Sequence, residues 1–152
     1  MEKPEELDAF IERSAAPFRK ICEYGDKKDI NVLIENHWGP SSYIEPMRRL
    51  MESVGHPRFG TLPDFGNFPD DVDKYEAVDA LMEYAKAISA KCYDFDPATG
   101  EETTIDYERM IEICVDKHDY HGYIGIEFEG GEMSEFEGIK ACKALLEKLR
   151  QG

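Results

Sequence analysis

Residues 30–35 have the sequence Ile-Asn-Val-Leu-Ile-Glu, an almost unbroken apolar run that ends in a carboxylate. A short run of this kind is typical of a strand buried on both faces, as in a parallel sheet. Three further apolar segments, at about residues 59–62, 87–93 and 120–128, follow the same plan, and polar residues end each of them. The sequence therefore predicts four strands with polar side chains at their C-terminal ends.

Segments with apolar residues at helical spacing surround and separate these strands. They predict helices at about residues 5–24, 43–54, 73–87, 106–117 and 135–149. We expect Pro17 to kink or divide the first helix, and Gly25 and Gly55 to end the first two. The order is one helix followed by strand and helix four times. Such strict alternation with short connections predicts a parallel sheet with right-handed crossovers.

Two architectures satisfy this order, an open doubly wound sheet and a segment of a (βα) barrel. The sequence favours the barrel, because polar residues recur at the C-terminal end of every strand, where the active sites of such barrels lie. A complete eight-stranded barrel needs about 250 residues. The 152 residues of this chain therefore predict a single domain, residues 1–152, that forms a half-barrel with a leading helix.

The composition argues against several classes of partner. Thirty-three acidic residues stand against 18 basic ones, for a formal net charge of −15. Such a surface repels nucleic acids and anionic membranes. No apolar stretch is long enough to span a bilayer, and the charged N-terminus lacks the apolar core of a signal peptide. We therefore expect a cytoplasmic protein, whose scattered cysteines are reduced and buried: Cys22, Cys92, Cys114 and Cys142.

The strand ends supply the candidate site residues: Glu35 with His37, Asp64 with Asn67, Lys91 with Asp94, and Glu127 with Glu129. Because side chains alternate along a strand, an inward-facing Glu35 predicts that Val32 and Ile34 face the helices. Small residues at the inward positions would leave room near the axis: Gly60, Ser89 and Gly125. If Glu35, Asp64 and Glu127 all point inward, their three carboxylates converge on one opening. Such a group suits a divalent cation that prefers oxygen ligands, such as Mn²⁺ or Mg²⁺.

Four motifs, in this order, resemble the last four strands of the xylose isomerase-like TIM barrels, the sugar phosphate isomerase/epimerase family. They span Ile34–Gly39, Gly60–Phe68, Ser89–Asp96 and Gly122–Gly130. The resemblance covers about residues 10–149 and implies an α/β fold, the C-terminal half of a TIM barrel. It also implies that Glu35, Asp64 and Glu127 hold a divalent metal. The first and last of these would act as an acid/base pair that moves a proton beside a carbonyl.

Two positions depart from the family pattern. Asn67 stands where the sixth-strand motif usually has a histidine, and Lys91 stands at the seventh-strand histidine position. A protonated lysine is not a metal ligand. His37 is therefore a candidate fourth ligand or general base, with a locally hydrogen-bonded loop histidine as the alternative. Lys91 is either a structural counter-ion or a group that binds a substrate phosphate or polarises its carbonyl.

The resemblance implies an enzyme of carbohydrate metabolism, an isomerase or epimerase of a sugar or sugar phosphate. A keto-sugar or glycoside lyase or hydratase of the same family is one alternative, and a non-catalytic barrel fragment that acts as a binding module is another. The candidate substrate-binding residues are Lys91, Asn67 and Trp38, whose ring could stack on a sugar face. The open edges of a half-barrel recruit partners. We therefore expect either a homodimer that completes an eight-stranded barrel, or a chain that is a piece of a longer protein whose N-terminal half-barrel is missing here.

Overall fold

The computed structural model describes residues 4–150. Among these residues, five helices and four strands alternate in the predicted order. They are α1 (Pro4–Asp26), β1 (Val32–Glu35), α2 (Ile44–Val54), β2 (Phe59–Leu62), α3 (Lys74–Met82), β3 (Ile88–Cys92), α4 (Tyr107–Ile111), β4 (Ile124–Phe128) and α5 (Glu135–Leu149). A short 3₁₀ helix, Gly39–Ser42, precedes α2, and a π-helical segment, Glu112–Lys117, continues α4.

The boundaries of the second and last helices match the sequence-based expectation. Helix α2 ends before Gly55, which has φ +51° and whose N–H donates to the Met51 carbonyl, as expected of a glycine C-cap. Helix α5 begins with a capping box, in which Ser134 and Glu137 each accept a hydrogen bond from the backbone of the other. Local sequence signals therefore determine both of these ends.

Helix α3 and strand β4 are shorter than predicted. Helix α3 stops at Met82 because the segment after it bonds to β2: the Thr61 N–H donates to the Tyr84 carbonyl (3.0 Å), and the Lys86 N–H donates to the Thr61 carbonyl (3.1 Å). Strand β4 begins at Ile124 rather than at residue 120. Tyr120 instead forms a turn in which its hydroxyl donates to the Tyr123 carbonyl at 2.8 Å.

Pro17 lies inside α1 without dividing the helix. A proline removes the N–H that would bond to the carbonyl four residues earlier, which belongs here to Arg13. Both residues are exposed, so water can satisfy that carbonyl. The opposite face of α1 buries Ile11 and Cys22 in a core cluster that it shares with α2 and β2. Tertiary packing therefore keeps the helix continuous through the proline.

The four strands are parallel and follow one another in chain order. Strand β1 pairs with β2, with Glu35 opposite Leu62, and β3 pairs with β4, with Lys91 opposite Glu127. The middle junction is made at the C-terminal end of β2, where the Ser89 N–H donates to the Pro63 carbonyl at 2.9 Å. Pro63 has no N–H to continue the ladder, and this junction consists of two isolated bridges, Thr61 with Ala85 and Asp64 with Ser89, rather than a regular ladder.

Alternate residues of the strands pack against the helices, as predicted. Val32 and Ile34 contact the cluster formed with α1 and α2, and the β3 residues Ile88, Ala90 and Cys92 are buried in the larger cluster beneath α4 and α5. The residues between them face the other side of the sheet. At Gly60, which occupies one of those inward positions, a Cβ would lie 2.7 Å from the Lys86 side chain, so lysine methylenes occupy the space that the glycine leaves.

The outer edges of the four-strand array are open among residues 4–150, since the pairing involves only neighbouring strands. Apolar side chains are exposed near both edges: Ile21, Tyr24 and Ile30 beside β1, and Tyr123, Phe136 and Ile139 beside β4. All four cysteines are free and buried, which confirms that expectation. Within the described part of the chain, no helix has the length and apolar character needed to cross a membrane.

Candidate active site

Three carboxylates converge at the C-terminal ends of the strands. Glu35 ends β1, Asp64 follows β2, and Glu127 lies near the end of β4. Each offers one oxygen, and these three oxygens lie within 4.8 Å of one another. Asp64 is fully buried, whereas Glu35 and Glu127 are partly exposed. The structure therefore brings together the three carboxylates that the sequence pattern singled out.

Backbone and side-chain hydrogen bonds hold Asp64 in place. Asn36, which is fully buried, donates through Nδ2 to the Asp64 carbonyl (3.0 Å) and accepts through Oδ1 from the Asp64 N–H (2.8 Å). The Asp64 Oδ1 atom accepts from the N–H groups of Gly66 and Asn67, both at 2.9 Å. Its Oδ2 atom is buried and has no hydrogen-bond partner within the described residues. A buried carboxylate oxygen without a partner is costly unless a ligand binds it.

Asn36 is a site residue that sequence reasoning missed. Its two hydrogen bonds extend the contact between β1 and β2 beyond the last ladder pair, so they fix where Asp64 stands relative to Glu35. The available signal was a polar residue placed directly after a buried strand. Many solvent-exposed loop residues also come directly after a strand. The sequence therefore does not distinguish a buried asparagine that bonds to a neighbouring segment from an exposed one.

Asn67 joins the site through its side chain. Its Nδ2 donates to Glu35 Oε1 at 3.3 Å, and its carbonyl accepts from the Ser42 hydroxyl at 3.3 Å. Asn67 therefore links the loop after β2 to the end of β1 and to the 3₁₀ helix. The residue at the expected histidine position thus orients a carboxylate.

Lys91 is fully buried, with its ammonium among the carboxylates. Its Nζ lies 2.7 Å from Glu127 Oε1 and 3.0 Å from Glu129 Oε1. The aliphatic part of the side chain passes Gly66, where a Cβ would lie 2.7 Å from Lys91 Cγ, so the position requires a glycine. Burial and two short ion pairs favour the counter-ion interpretation over binding of a substrate phosphate. Glu129, which alternation along the strand placed within reach of the site, contacts Lys91 there.

The electrostatic environments of the three converging carboxyl groups and of the Lys91 ammonium differ. Burial raises the pKa of Glu35, and the charges of Asp64 and Glu127 raise it further. Burial likewise raises the pKa of Asp64, against hydrogen bonds to the Gly66 and Asn67 N–H groups that lower it. The hydrogen bond from Lys91 lowers the pKa of Glu127. Burial lowers the pKa of Lys91, but the bonds to Glu127 and Glu129 outweigh it and hold that pKa above its usual value.

Ser89 lies between two of these carboxylates. Its hydroxyl is close enough to Asp64 to lower the pKa of that residue, yet it donates its hydrogen bond to Glu127 Oε2 at 3.1 Å. A hydroxyl has a single proton to donate, so the hydrogen bond from Ser89 goes to Glu127 and not to Asp64. This assignment leaves the buried Asp64 Oδ2 without a donor, in agreement with the geometry.

His37 and Trp38 lie on the exposed side of the site. The imidazole is exposed, and a positive charge on it, when present, lowers the pKa of both Glu35 and Glu127. Neither ring nitrogen of His37 belongs to the group of converging ligand atoms, which consists of Glu35, Asp64 and Glu127. Its ring packs edge-on against the indole of Trp38, with 5.9 Å between ring centroids, and Trp38 is 79% exposed. Both rings are therefore exposed to solvent, with His37 close enough to Glu35 and Glu127 to influence them electrostatically.

The donor set fits a divalent cation. Hard cations such as Mg²⁺ and Mn²⁺ prefer carboxylate oxygens. Glu35, Asp64 and Glu127 provide such oxygens at the ends of three different strands, and Asp64 also has a buried Oδ2 without a partner among the described residues. With Glu129, the site contains four carboxyl groups and the single ammonium of Lys91. A doubly charged cation would offset much of the remaining negative charge.

Comparisons with known proteins agree with this architecture. A sequence model of the family described as the xylose isomerase-like TIM barrel matches residues 2–151. No curated protein matches the chain. Among solved structures, the apo 3-keto-D-glucoside 4-epimerase YcjR from E. coli is 17% identical, with a TM-score of 0.69; the match covers 100% of this chain and 57% of that one.

Two further structures show the same fold. The D-allulose 3-epimerase from Methylomonas sp. is 15% identical, with a TM-score of 0.68, and the match covers 93% of this chain and 55% of that one. The probable 3-DHS dehydratase AsbF of Bacillus anthracis, involved in petrobactin synthesis, is 17% identical with a TM-score of 0.65, covering 87% and 55%. The chain spans little more than half the length of these structures, and at these identities the likeness is one of fold.

Proposed function

The chain belongs to the xylose isomerase-like TIM barrel family. On this basis we propose that it is an isomerase or epimerase of a sugar or sugar phosphate, or the half-barrel of such an enzyme that contains the acid/base residues. The reaction is the transfer of a proton at a carbon beside a carbonyl, assisted by a divalent cation. The observation that supports this most strongly is the convergence of Glu35, Asp64 and Glu127, together with the unpartnered buried oxygen of Asp64.

Glu35, Asp64 and Glu127 would hold the cation, with His37 as a fourth ligand. A bound Mn²⁺ or Mg²⁺ would polarise the substrate carbonyl and stabilise the negative charge that develops when the neighbouring carbon loses its proton. Asp64 is the member least able to serve as an acid or base, because it is buried and two backbone N–H groups hold it. Its proposed role is therefore that of a ligand.

Glu35 and Glu127 are the proposed acid/base pair. They lie on the two outermost strands, β1 and β4, with Asp64 between them. Two carboxyl groups on opposite sides of a bound sugar could remove a proton from one face and deliver one to the other, as an epimerisation requires. Asn67 and Ser89 would orient them, since each bonds to one member of the pair. Trp38 would stack on the sugar ring.

A lyase or hydratase acting on a keto-sugar or glycoside is the second candidate. The position of His37 favours it, because the imidazole is exposed and directly follows Asn36 at the end of β1, beside the carboxylate of Glu35. A histidine in that place could act as the base in an elimination. The two reactions differ in their products, since only the elimination changes the number of hydroxyl groups.

Proton exchange tests the proposed function. The purified chain, supplied with Mn²⁺, would be incubated in deuterated water with a panel of ketoses, keto-glycosides and their phosphates. We expect deuterium to enter beside the carbonyl of at least one member, as read by NMR, with no exchange in a chelated sample. Loss of water from the sugar would favour the lyase. Bound metal without exchange on any member would favour the non-catalytic binding module.

A second copy of the chain is the proposed partner. Apolar side chains are exposed near both open edges, and two half-barrels together provide eight strands. We expect sedimentation equilibrium to give twice the mass of the chain, and Tyr24→Glu, which changes a 66% exposed residue beside β1, to shift it to monomer. The neighbouring substitution Glu23→Gln is the control. A wild-type monomer would contradict the dimer and favour the alternative of a missing N-terminal half-barrel.

A further inference from the structure

We propose that Lys91 and Glu129 together control how strongly the site binds a divalent cation, by competing with that cation for Glu127. The three residues Glu127, Lys91 and Glu129 form one carboxylate–ammonium bridge, with Nζ at 2.7 and 3.0 Å from the two carboxylates. This inference rests on the proposed function, because it concerns the cation of the same site. It assigns a role to Glu129 and makes Lys91 a positioning residue rather than a substrate ligand.

The ammonium of Lys91 is held in place. The residue is fully buried on β3, its carbonyl accepts from the Tyr107 hydroxyl at 2.8 Å, and its aliphatic chain lies against Gly66. A surface lysine can swing into water when a cation arrives, but this one has no solvent to move into. Its positive charge therefore remains beside Glu127 whether or not the cation is bound.

Both oxygens of Glu127 already accept hydrogen bonds. Oε1 accepts from Lys91, and Oε2 accepts from the Ser89 hydroxyl at 3.1 Å. A cation that binds Glu127 must share these oxygens, and it is also repelled by the fixed ammonium. Asp64 differs, since its Oδ2 has no partner within the described residues. We therefore expect the availability of Glu127, rather than that of Asp64, to set how tightly the site binds a cation.

Glu129 weakens this competition. It offers a second carboxylate to the same ammonium, so the charge of Lys91 is shared between two ion pairs, one with Glu127 and one with Glu129. Without Glu129 the ammonium would interact with Glu127 alone, which would then be less available to a cation. Glu129 therefore acts through Lys91. This dependence separates the proposed role from a general electrostatic effect of one more negative charge.

Titration calorimetry with Mn²⁺ tests the bridge. We expect Lys91→Met to bind Mn²⁺ roughly tenfold or more tightly than the wild type, because a fixed positive charge beside a ligand is removed. Lys148→Met, which removes an exposed lysine near the C-terminal end of α5, should leave the affinity unchanged.

Glu129→Gln should weaken Mn²⁺ binding several-fold, because the ammonium of Lys91 would then interact with Glu127 alone. Glu132→Gln makes the same change at an exposed residue of the same loop and should leave the affinity unchanged.

The double variant distinguishes the bridge from simple charge. If Glu129 acts through Lys91, Glu129→Gln should have no effect on Mn²⁺ affinity once Lys91 is already Met. An undiminished effect in that background would overturn the proposal, and so would equal affinities of the wild type and Lys91→Met. Absence of Mn²⁺ binding from every variant would instead overturn the proposed function.

A second substitution at Lys91 separates an effect on cation affinity from an effect of misfolding. Lys91→Gln keeps a hydrogen-bond donor in the same place without the charge, and circular dichroism would show whether each variant is folded. We expect Lys91→Gln to bind Mn²⁺ more tightly than the wild type, as Lys91→Met does. If neither Lys91 variant folds, the ammonium is needed for the fold rather than for setting cation affinity, and the proposal is wrong.

Discussion

Glu127→Gln is expected to remove the divalent cation from the protein and to lower turnover by a factor of about 10³ or more. Glu127 is at once a proposed ligand, one member of the proposed acid/base pair, and the partner of both Lys91 and Ser89. Glutamine matches the size of glutamate and can still accept hydrogen bonds. The substitution therefore removes the charge and the proton-transfer capacity with little change in packing.

The measurement is metal content per chain, alongside deuterium exchange on whichever sugar the wild type accepts. Glu132→Gln is the matched control, because it makes the same change at an exposed position of the loop after β4. The control should retain wild-type metal content and exchange. If Glu127→Gln retained its metal and exchanged at the wild-type rate, Glu127 would be neither ligand nor acid/base group.

Phe65→Ala is expected to lower the free energy of unfolding by about 3–5 kcal/mol. Phe65 follows Asp64 directly, is fully buried, and packs edge-on against Tyr107 with 5.7 Å between ring centroids. It belongs to the core cluster that α3, β3 and α5 share. Truncation removes the buried ring and leaves a cavity that close-packed neighbours can fill only in part. For a domain with typical stability of about 5–15 kcal/mol, this loss is large.

Urea denaturation followed by circular dichroism would measure this change. Trp38→Ala is the control, since that substitution removes a larger ring that is 79% exposed, and its effect should stay within about 0.5 kcal/mol. Because Phe65 supports the backbone beside Asp64, the folded fraction of Phe65→Ala should also bind Mn²⁺ more weakly. Equal stabilities of the two variants would mean that the ring does not contribute to the core.

Much of the candidate site could be predicted from the sequence. Glu35, Asp64 and Glu127 lie at the C-terminal ends of strands whose alternation and order could be predicted, and parallel strands bring these ends to one edge. Their convergence within 4.8 Å follows from that rule. The element boundaries were less predictable: α3 stops at Met82 because backbone groups after it bond to Thr61, a residue more than 20 positions earlier.

The sequence by itself determined the βα alternation, the inward register of the strands and the identity of the converging carboxylates. These follow from periodicity and residue type, which are properties of short stretches of chain. Only the tertiary structure decided that Asn36 bridges to Asp64, that Lys91 pairs with both Glu127 and Glu129, and that the second oxygen of Asp64 lacks a partner. These contacts join residues that are 28 or more positions apart in the sequence. A hydrogen bond or ion pair forms only when the fold brings the two groups to within about 3 Å of each other, which the sequence pattern does not reveal.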